Sequence, residues 1–314
     1  MSKLYDCIII GAGPAGLAAG LYAGRSRLST LIIEKAADGG QIAITDNIEN
    51  YPGGIVEGET GPQLIERFTA QAERWGAERL SKNVSKVELA GPVKKVFCGD
   101  EVFEAKTIIL ATGAHARKGG FPGEEEYTGK GVSYCATCDA NFFQDLVVFV
   151  IGGGDSAVEE AMYLTGFARE VHIVHRRDQL RAAESIQERA FRNKKLVFEW
   201  NSVVDHVEGD GVLQKIVLKD TKTGELRSFE ADEDDGVLGC FVFIGTVPNS
   251  DLFKDEIHCD EKGYVITDDD MKTNIEGVFA AGDVRVKSLR QVVTAAADGA
   301  IAAIQCERYL AEQK

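Results

Sequence analysis

The chain has 314 residues, room for two domains with separate cores, and its 44% hydrophobic and 27% charged residues are those of a soluble globular protein. A net charge of −15 and a pI near 4.9 argue against nucleic acid or an anionic membrane surface as a partner. No run of about 18 apolar residues suits a membrane span, the N-terminus lacks a secretory leader pattern, and seven cysteines, odd in number and mostly scattered, point to the cytoplasm.

The expected fold is α/β. An apolar strand, Ile8-Ile9-Ile10, runs into Gly11-Ala12-Gly13-Pro14-Ala15-Gly16, and a helix is expected from about Gly13 to Arg25 with Ala15, Ala18, Ala19 and Ala23 toward a sheet. Leu31-Ile32-Ile33 forms a second strand, closed by Glu34. Ile108 to Gly113 reads as a strand ending in a turn, and Gly113 to Arg117 as a linker. A second unit then runs from about 118 to 245. It holds the strand Val148 to Ile151, the turn Gly152-Gly153-Gly154-Asp155-Ser156-Ala157, and a helix near Ser156 to Thr165. Strands follow at Val171 to Val174 and Gly239 to Ile244. Gly245 to Asn249 reads as the return linker, and Val278 to Asp283 with a long terminal helix completes the first unit. The expected architecture is therefore two three-layer, Rossmann-like domains, one inserted in the other, over 1–117 with 246–314 and over 118–245.

The two glycine turns are copies of one dinucleotide-binding pattern. Gly11 to Glu34 and Gly152 to His175 each span 23 positions. In such a turn the first glycine permits the bend, the second lets backbone approach a pyrophosphate, and the third allows close helix–strand packing. Each copy follows a strand and opens a helix, the context that gives the motif weight. The copies differ at their ends. Glu34 is placed to accept from an unphosphorylated ribose, whereas His175-Arg176-Arg177, with Arg181 one helical turn on, forms a cationic group suited to a 2′-phosphate. The ribose end of the first site suits FAD or NAD and that of the second suits NADPH; further residues make FAD the better occupant of the first. Asp283 offers the flavin a carboxylate for a ribityl hydroxyl; Gly40, Gln41 and the stretch Ile48-Glu49-Asn50-Tyr51-Pro52 offer backbone and amide groups. Val84, Ala111, Thr112, Gly113 and Gly282 complete the expected FAD set beside Gly11, Gly13, Pro14, Ala15, Gly16 and Glu34. Gly152, Gly154, Asp155, Ser156 and Ala157 join the basic residues in the NADPH set.

Cys135-Ala136-Thr137-Cys138-Asp139 carries two thiols at redox spacing followed by a carboxyl. A tetrahedral zinc site needs four ligands, and no second cysteine pair or histidine spacing supplies them, so no metal is expected. A helix start or nearby positive charge would activate one thiol, and Asp139 is the candidate acid–base group, because each thiol–disulfide step moves protons.

Taken together, GAGPAG, GGQ with IENYPG, ATGA, CATCD, GGGDSAVEEA, HRRDQLRA, GVFAAGDV and RQVVTAAADGA resemble the bacterial-type, low-molecular-weight thioredoxin reductases over essentially the whole chain. The resemblance implies a homodimeric FAD enzyme that carries electrons from NADPH through flavin to a disulfide and on to thioredoxin. It implies that Cys138 is the thiol beside the flavin and Cys135 the one that attacks thioredoxin, with Asp139 as acid–base residue. It puts Asp283, Arg290, Gln291 and Val292 along the flavin, and Arg176, Arg177 and Arg181 on the 2′-phosphate. Ala140 and Ala297 stand where many members of that family have glycine. With dithiol and NADPH pattern in one unit and flavin in the other, the two linkers are expected to let one unit rotate, presenting nicotinamide and disulfide in turn. The alternative reading is an NADPH- or ferredoxin-dependent flavin disulfide reductase for another thioredoxin- or glutaredoxin-like carrier. A non-catalytic dinucleotide sensor would have no need of Cys135 and Cys138.

Overall fold

The computed structural model describes residues 3–44, 48, 50–55 and 58–313. Strand β1 (Leu4–Ile10), helix α1 (Pro14–Arg25) and β2 (Thr30–Glu34) open the chain. A 3₁₀ helix (Gly40–Ile44) and α2 (Gly61–Arg74) lead to β3 (Glu78–Ser81), β4 (Lys86–Glu88), β5 (Lys94–Cys98), β6 (Glu101–Leu110) and β7 (Ala114–Ala116). Next come β8 (Val132–Ser133), the four-residue α3 (Ala136–Asp139), a 3₁₀ helix (Ala140–Phe143), β9 (Val147–Ile151), α4 (Asp155–Leu164), β10 (Glu170–His175) and α5 (Glu184–Arg192). Strands β11 (Leu196–Trp200), β12 (Ser202–Glu208), β13 (Lys215–Asp220), β14 (Leu226–Glu230), β15 (Gly239–Val242) and β16 (Thr246–Pro248) follow. The chain ends with β17 (Val278–Ala280), a 3₁₀ turn (Gly282–Val284) and α6 (Val292–Glu312).

These elements form two compact units, Met1–His115 with Val247–Lys314, and Ala116–Thr246. The chain crosses between them at β7 and β16. Expected from their glycines to be plain linkers, these two segments instead pair with each other as a two-stranded ribbon.

In the first unit the sheet order is β3-β2-β1-β6-β5-β4, with β17 also on β6. Ten-residue β6 serves two partners. Its first half pairs antiparallel with β5, and its last residues pair parallel with β17, Val278 opposite Ile108. Side chains alternate between two cores. Cys7 and Ile9 enter the cluster under α1, α2 and α6, while Ile8 and Ile10 enter the opposite one. That is why β1 reads as an unbroken apolar run: a parallel sheet is covered on both faces. Helix α1 is built of small residues because it lies close to its neighbours. A Cβ on Gly20 would sit 2.5 Å from Ile32, and one on Gly299 of α6 would sit 2.0 Å from the Ala15 carbonyl oxygen. Helix α2 starts with a reciprocal cap, Thr60 taking the Gln63 N–H and the Gln63 side chain taking the Thr60 N–H.

The second unit repeats the plan with the parallel order β11-β10-β9-β15-β8. Val148 and Val150 pack on the helical side. Phe149 packs on the other side, with Ile216 and Leu218 of the antiparallel sheet β12-β13-β14. On that side buried His172 stacks on Phe149 and bonds both ring nitrogens to carboxylates, Glu199 at 3.0 Å and Glu170 at 2.7 Å.

Two expected strands end early: the stretch begun by Ile108 leaves the sheet after Leu110, not Gly113, and β15 stops at Val242. In both cases a glycine at positive φ, Gly113 or Gly245, follows three residues on. Among the described residues no helix is long and apolar enough to cross a membrane.

The Gly299–Ala15 contact yields a stability test. Gly299→Ala should destabilise the fold by about 1–3 kcal/mol through overpacking of α6 on α1, read as a lower denaturant midpoint. A midpoint equal to the parent's would show that the two helices separate freely.

Candidate dinucleotide and dithiol sites

In the first unit β1, β6 and β17 end side by side, with β1 joined to β2 through α1 and flanked by β6 on its other edge. Such a switch point opens a crevice at the carboxyl ends of the strands. Gly11 leaves β1 at φ +107°, and a Cβ there would lie 2.3 Å from the Ala111 oxygen. A Cβ on Gly16 would lie 1.9 Å from the Gly11 oxygen, so the third glycine lets α1 rest on its own entry turn. Gly13, by contrast, faces almost open space, with only the Gly39 oxygen at 3.9 Å from its Cβ position, and Pro14 fills the first turn of α1 where its missing N–H costs nothing. The result is a backbone platform that a pyrophosphate can approach.

Glu34 sits at the end of β2 and is already bonded. One carboxylate oxygen accepts the Ala12 N–H at 2.9 Å and the other the Ala36 N–H at 3.1 Å. It therefore braces the turn and keeps further lone pairs that could accept from a ribose. Gly40, at φ +57°, has nothing within 4 Å of its Cβ position, and Gln41 beside it is exposed. Asn50 Nδ2 donates to Gln291 Oε1 at 3.1 Å, joining two residues that are 241 positions apart in the chain. Glu49 of the same stretch lies outside the described residues. Thr112 is less available than expected: its hydroxyl donates to the Asn249 carbonyl at 2.7 Å, and Asn249 donates back to the Thr112 carbonyl at 2.8 Å. Val84 packs half-buried against the core on the far side of the sheet.

After β17, Gly282 turns at φ +79° with its Cβ position 2.8 Å from the Ala15 Cβ, bringing the Asp283 turn against the glycine motif. Oδ1 of Asp283 is buried with no hydrogen-bond partner, and burial pushes its carboxyl above the ordinary range. Arg290 Nε is likewise buried and unpartnered, its guanidinium 4.2 Å over the Tyr264 ring. Buried polar atoms without partners are costly. A polar ligand such as the ribityl and ring edge of a flavin would relieve them, so these residues fit the expected group. Behind this turn stands a buried ion cluster that the pattern of motifs gives no hint of: Asp298 with Arg285 and Lys287.

In the second unit Gly152 turns at φ +155° beneath the Phe243 oxygen, 2.5 Å from its Cβ position, and Ala157 fills the place that Gly16 has in the first copy. Gly153 has His175 against it, the imidazole Nδ1 2.2 Å from its Cβ position. His175 is buried, and burial with the nearby arginines lowers its pKa. It is thus a neutral ring with an unpartnered Nε2, not a member of the cationic group. That group consists of Arg176, Arg177 and Arg181, which have no carboxylate partner among the described residues. Arg181 is not on a helix. It lies in the loop before α5, where its N–H bonds the Gly153 carbonyl at 2.7 Å and its guanidinium stands 3.9 Å from the Cβ position of Gly154. Asp155 closes the loop by accepting the Ala183 N–H at 2.7 Å, while Ser156 is exposed at the start of α4. An open glycine at the helix entry and three unneutralised guanidinium groups suit a phosphorylated dinucleotide.

Cys135 and Cys138 form a disulfide with Cα atoms 5.3 Å apart, both half-buried at α3. The next residue's carboxylate is held by a neighbour that the motif did not single out. Ser133, buried on β8, donates to Asp139 Oδ2 at 2.5 Å and accepts the Cys135 N–H at 3.1 Å. One hydroxyl thereby ties the carboxylate to the backbone of the first cysteine. Tyr134 anchors the same strand from the other side, donating to buried Glu124, which also takes the N–H groups of Gly119 and Gly120. Burial and that carboxylate raise the Tyr134 pKa, keeping it a donor. The other five cysteines are free thiols.

The profile of the pyridine nucleotide-disulphide oxidoreductase family matches residues 5–299. The chain is 59% identical over 310 residues to the thioredoxin reductase of Peptoclostridium acidaminophilum, covering 99% of this chain and 98% of the other. It is 47% identical to that of Bacillus subtilis strain 168, covering 99% and 96%. Among solved structures, thioredoxin reductase from Streptococcus pyogenes MGAS5005 superposes with a TM-score of 0.91 at 47% identity, covering 99% and 100%.

Glu34→Ala should weaken flavin retention by about 1–3 kcal/mol, since it removes a ribose acceptor and leaves the Ala12 N–H unpaired. Apoprotein titrated with FAD reads this directly. Normal FAD binding with altered NADPH affinity would mean that the two sites are exchanged.

Proposed function

The chain belongs to the pyridine nucleotide-disulphide oxidoreductase family, among its thioredoxin reductases, and we propose that it carries electrons from NADPH, by way of FAD, to the Cys135–Cys138 disulfide and from there to the disulfide of a thioredoxin. The observation that carries the reading is that disulfide, with the Asp139 carboxylate next in sequence, in the same unit as a glycine turn crowned by unneutralised arginines. When bound, FAD supplies the chemistry that side chains lack, accepting hydride from NADPH and returning an electron pair to a disulfide.

The residues divide the remaining work. Gly11, Gly13 and Gly16 present the platform for the FAD pyrophosphate, Glu34 receives the adenosine ribose, and Asp283 receives a ribityl hydroxyl. Gly152 and Gly154 present the NADPH pyrophosphate platform, and Arg176, Arg177 and Arg181 hold the 2′-phosphate. After reduction, the Cys135 thiolate attacks one sulfur of the oxidised thioredoxin, forming a mixed disulfide and releasing one thioredoxin thiolate. The Cys138 thiolate then attacks Cys135 Sγ, reforming the 135–138 disulfide and releasing the second. Asp139, steadied by Ser133, gives up and receives the protons that these two thiolates require. A thioredoxin couple near about −270 mV is reducing enough for NADPH to be a sensible donor. We also infer a homodimer working in the cytoplasm. The five free thiols support a reducing compartment.

Replacing Arg176 and Arg177 together by alanine should raise the Michaelis constant for NADPH by at least about tenfold, because charge-assisted bonds to phosphate contribute about 1.5–3 kcal/mol each. The constant for NADH should stay nearly unchanged. Steady-state kinetics with both donors decide it, and unaltered NADPH kinetics would remove the nucleotide assignment.

The two cysteines should behave unequally. Cys138→Ser leaves Cys135 free to attack, so the flavin should still bleach with NADPH while thioredoxin turnover stops. A mixed disulfide through Cys135 should accumulate with a thioredoxin that lacks its own resolving thiol. Mass spectrometry of the trapped complex locates the bond. Trapping by Cys135→Ser in place of Cys138→Ser would reverse the roles.

A further inference from the structure

The turn that offers Asp283 is held from behind by Asp298 of α6, a residue that none of the assignments above uses. Asp298 Oδ2 accepts the Gly282 N–H at 3.0 Å and the Lys287 ammonium at 2.8 Å, and Arg285 Nη1 reaches both carboxylate oxygens at 3.3 Å. The side chains of Asp298, Lys287 and Arg285 are 9%, 8% and 13% exposed, so the charges meet away from water. Arg285 is pinned further by Thr267, whose hydroxyl oxygen accepts its Nε–H at 2.9 Å. One carboxylate thus neutralises one of two buried cations. Nearby lies Asp283, which feels the Lys287 and Arg290 charges and whose Oδ1 has no partner.

The backbone around this cluster is tight on the other side too. Gly299, next after Asp298, packs on the Ala15 carbonyl, and Gly282 packs on the Ala15 Cβ. A single step of α6 therefore fixes the strand-end turn and the start of the glycine-motif helix to each other. A buried charge whose partner is removed must find another or bear a large desolvation cost. The Lys287 charge already acts on Asp283, a carboxylate with one oxygen that has no partner.

We infer that Asp298 is a positioning residue for the flavin: by taking the Gly282 N–H and holding Lys287, it keeps that cation off Asp283, whose free oxygen is thereby left to a ribityl hydroxyl. The inference rests on the reading of the first unit as the FAD unit.

Asp298→Asn keeps an oxygen for the Gly282 N–H and removes the charge. Apoprotein titrated with FAD should show affinity weakened by about tenfold or more, and the flavin that binds should have a more positive midpoint potential, because the cluster loses one negative charge. Adding Lys287→Met to Asp298→Asn should restore most of the FAD affinity, a rescue that a purely structural role of Asp298 would not produce. NADP⁺ affinity should be the same in all variants. FAD binding by Asp298→Asn within about twofold of the parent, or a loss that Lys287→Met leaves in place, overturns the inference. Should Asp298→Asn not fold, Asp298→Glu takes its place: it keeps the charge but moves it off the Gly282 N–H, so affinity should again fall, and parental affinity overturns the inference. A parent protein that binds no FAD would instead refute the proposed function.

Discussion

Backbone packed directly on backbone is the constraint on which the first unit depends. The Gly11 exit lies against Ala111, Gly16 against Gly11 and Gly299 against Ala15, each so near that an added Cβ would fall within 2.3 Å of a carbonyl oxygen. With side chains there, α1 would stand off its own entry turn and α6 would stand off α1. With none, the ends of β1, β6 and β17 gather at the entry of α1, where the first N–H groups of a helix lack intrahelical partners. A helix entry of that kind favours an anion, and Gly13 leaves the way to it open. Each of these glycines lowers helix or strand propensity, and the close packing that they permit offsets the loss.

The second unit meets the same geometric demand with other residues. Ala157 replaces the third glycine, and the place beside Gly153 is filled by the ring of His175 rather than by backbone. What most separates the two sites is charge. At the end of β2 a carboxylate is bound to two backbone N–H groups, so it braces the turn. At the end of β10 the imidazole is buried and neutral, and the cations stand one to six residues further on, in a loop tied down by the Gly153 carbonyl and Asp155. The dithiol follows a similar economy. A short helix sets the cysteines at disulfide distance, while one buried serine fixes the carboxylate that follows them.

The chemistry was legible in the sequence because it resides in short local patterns. Strand, glycine turn and helix occur within about thirty residues, the two cysteines and Asp139 within five. The difference between Glu34 and Arg176-Arg177 also lies at a fixed distance from each turn. The burial that lowers the pKa of His175 and the loop that carries Arg181 back to Gly153 are recorded by no local pattern.

The sequence by itself determined the alternating apolar strands, the two glycine turns, the dithiol and the contrast of a carboxylate after one turn with arginines after the other, because each is set by neighbours along the chain. Only the tertiary structure decided what holds these parts in place. Ser133 reaches Asp139 across the α3 turn, Asn50 meets Gln291, Thr112 is engaged by Asn249, and Asp298 braces Gly282 while Gly299 presses on Ala15. Most of these contacts join residues far apart in the chain. They exist only after the sheet has closed and the last helix has docked on the first, so their energies depend on burial and distance, which sequence spacing does not encode.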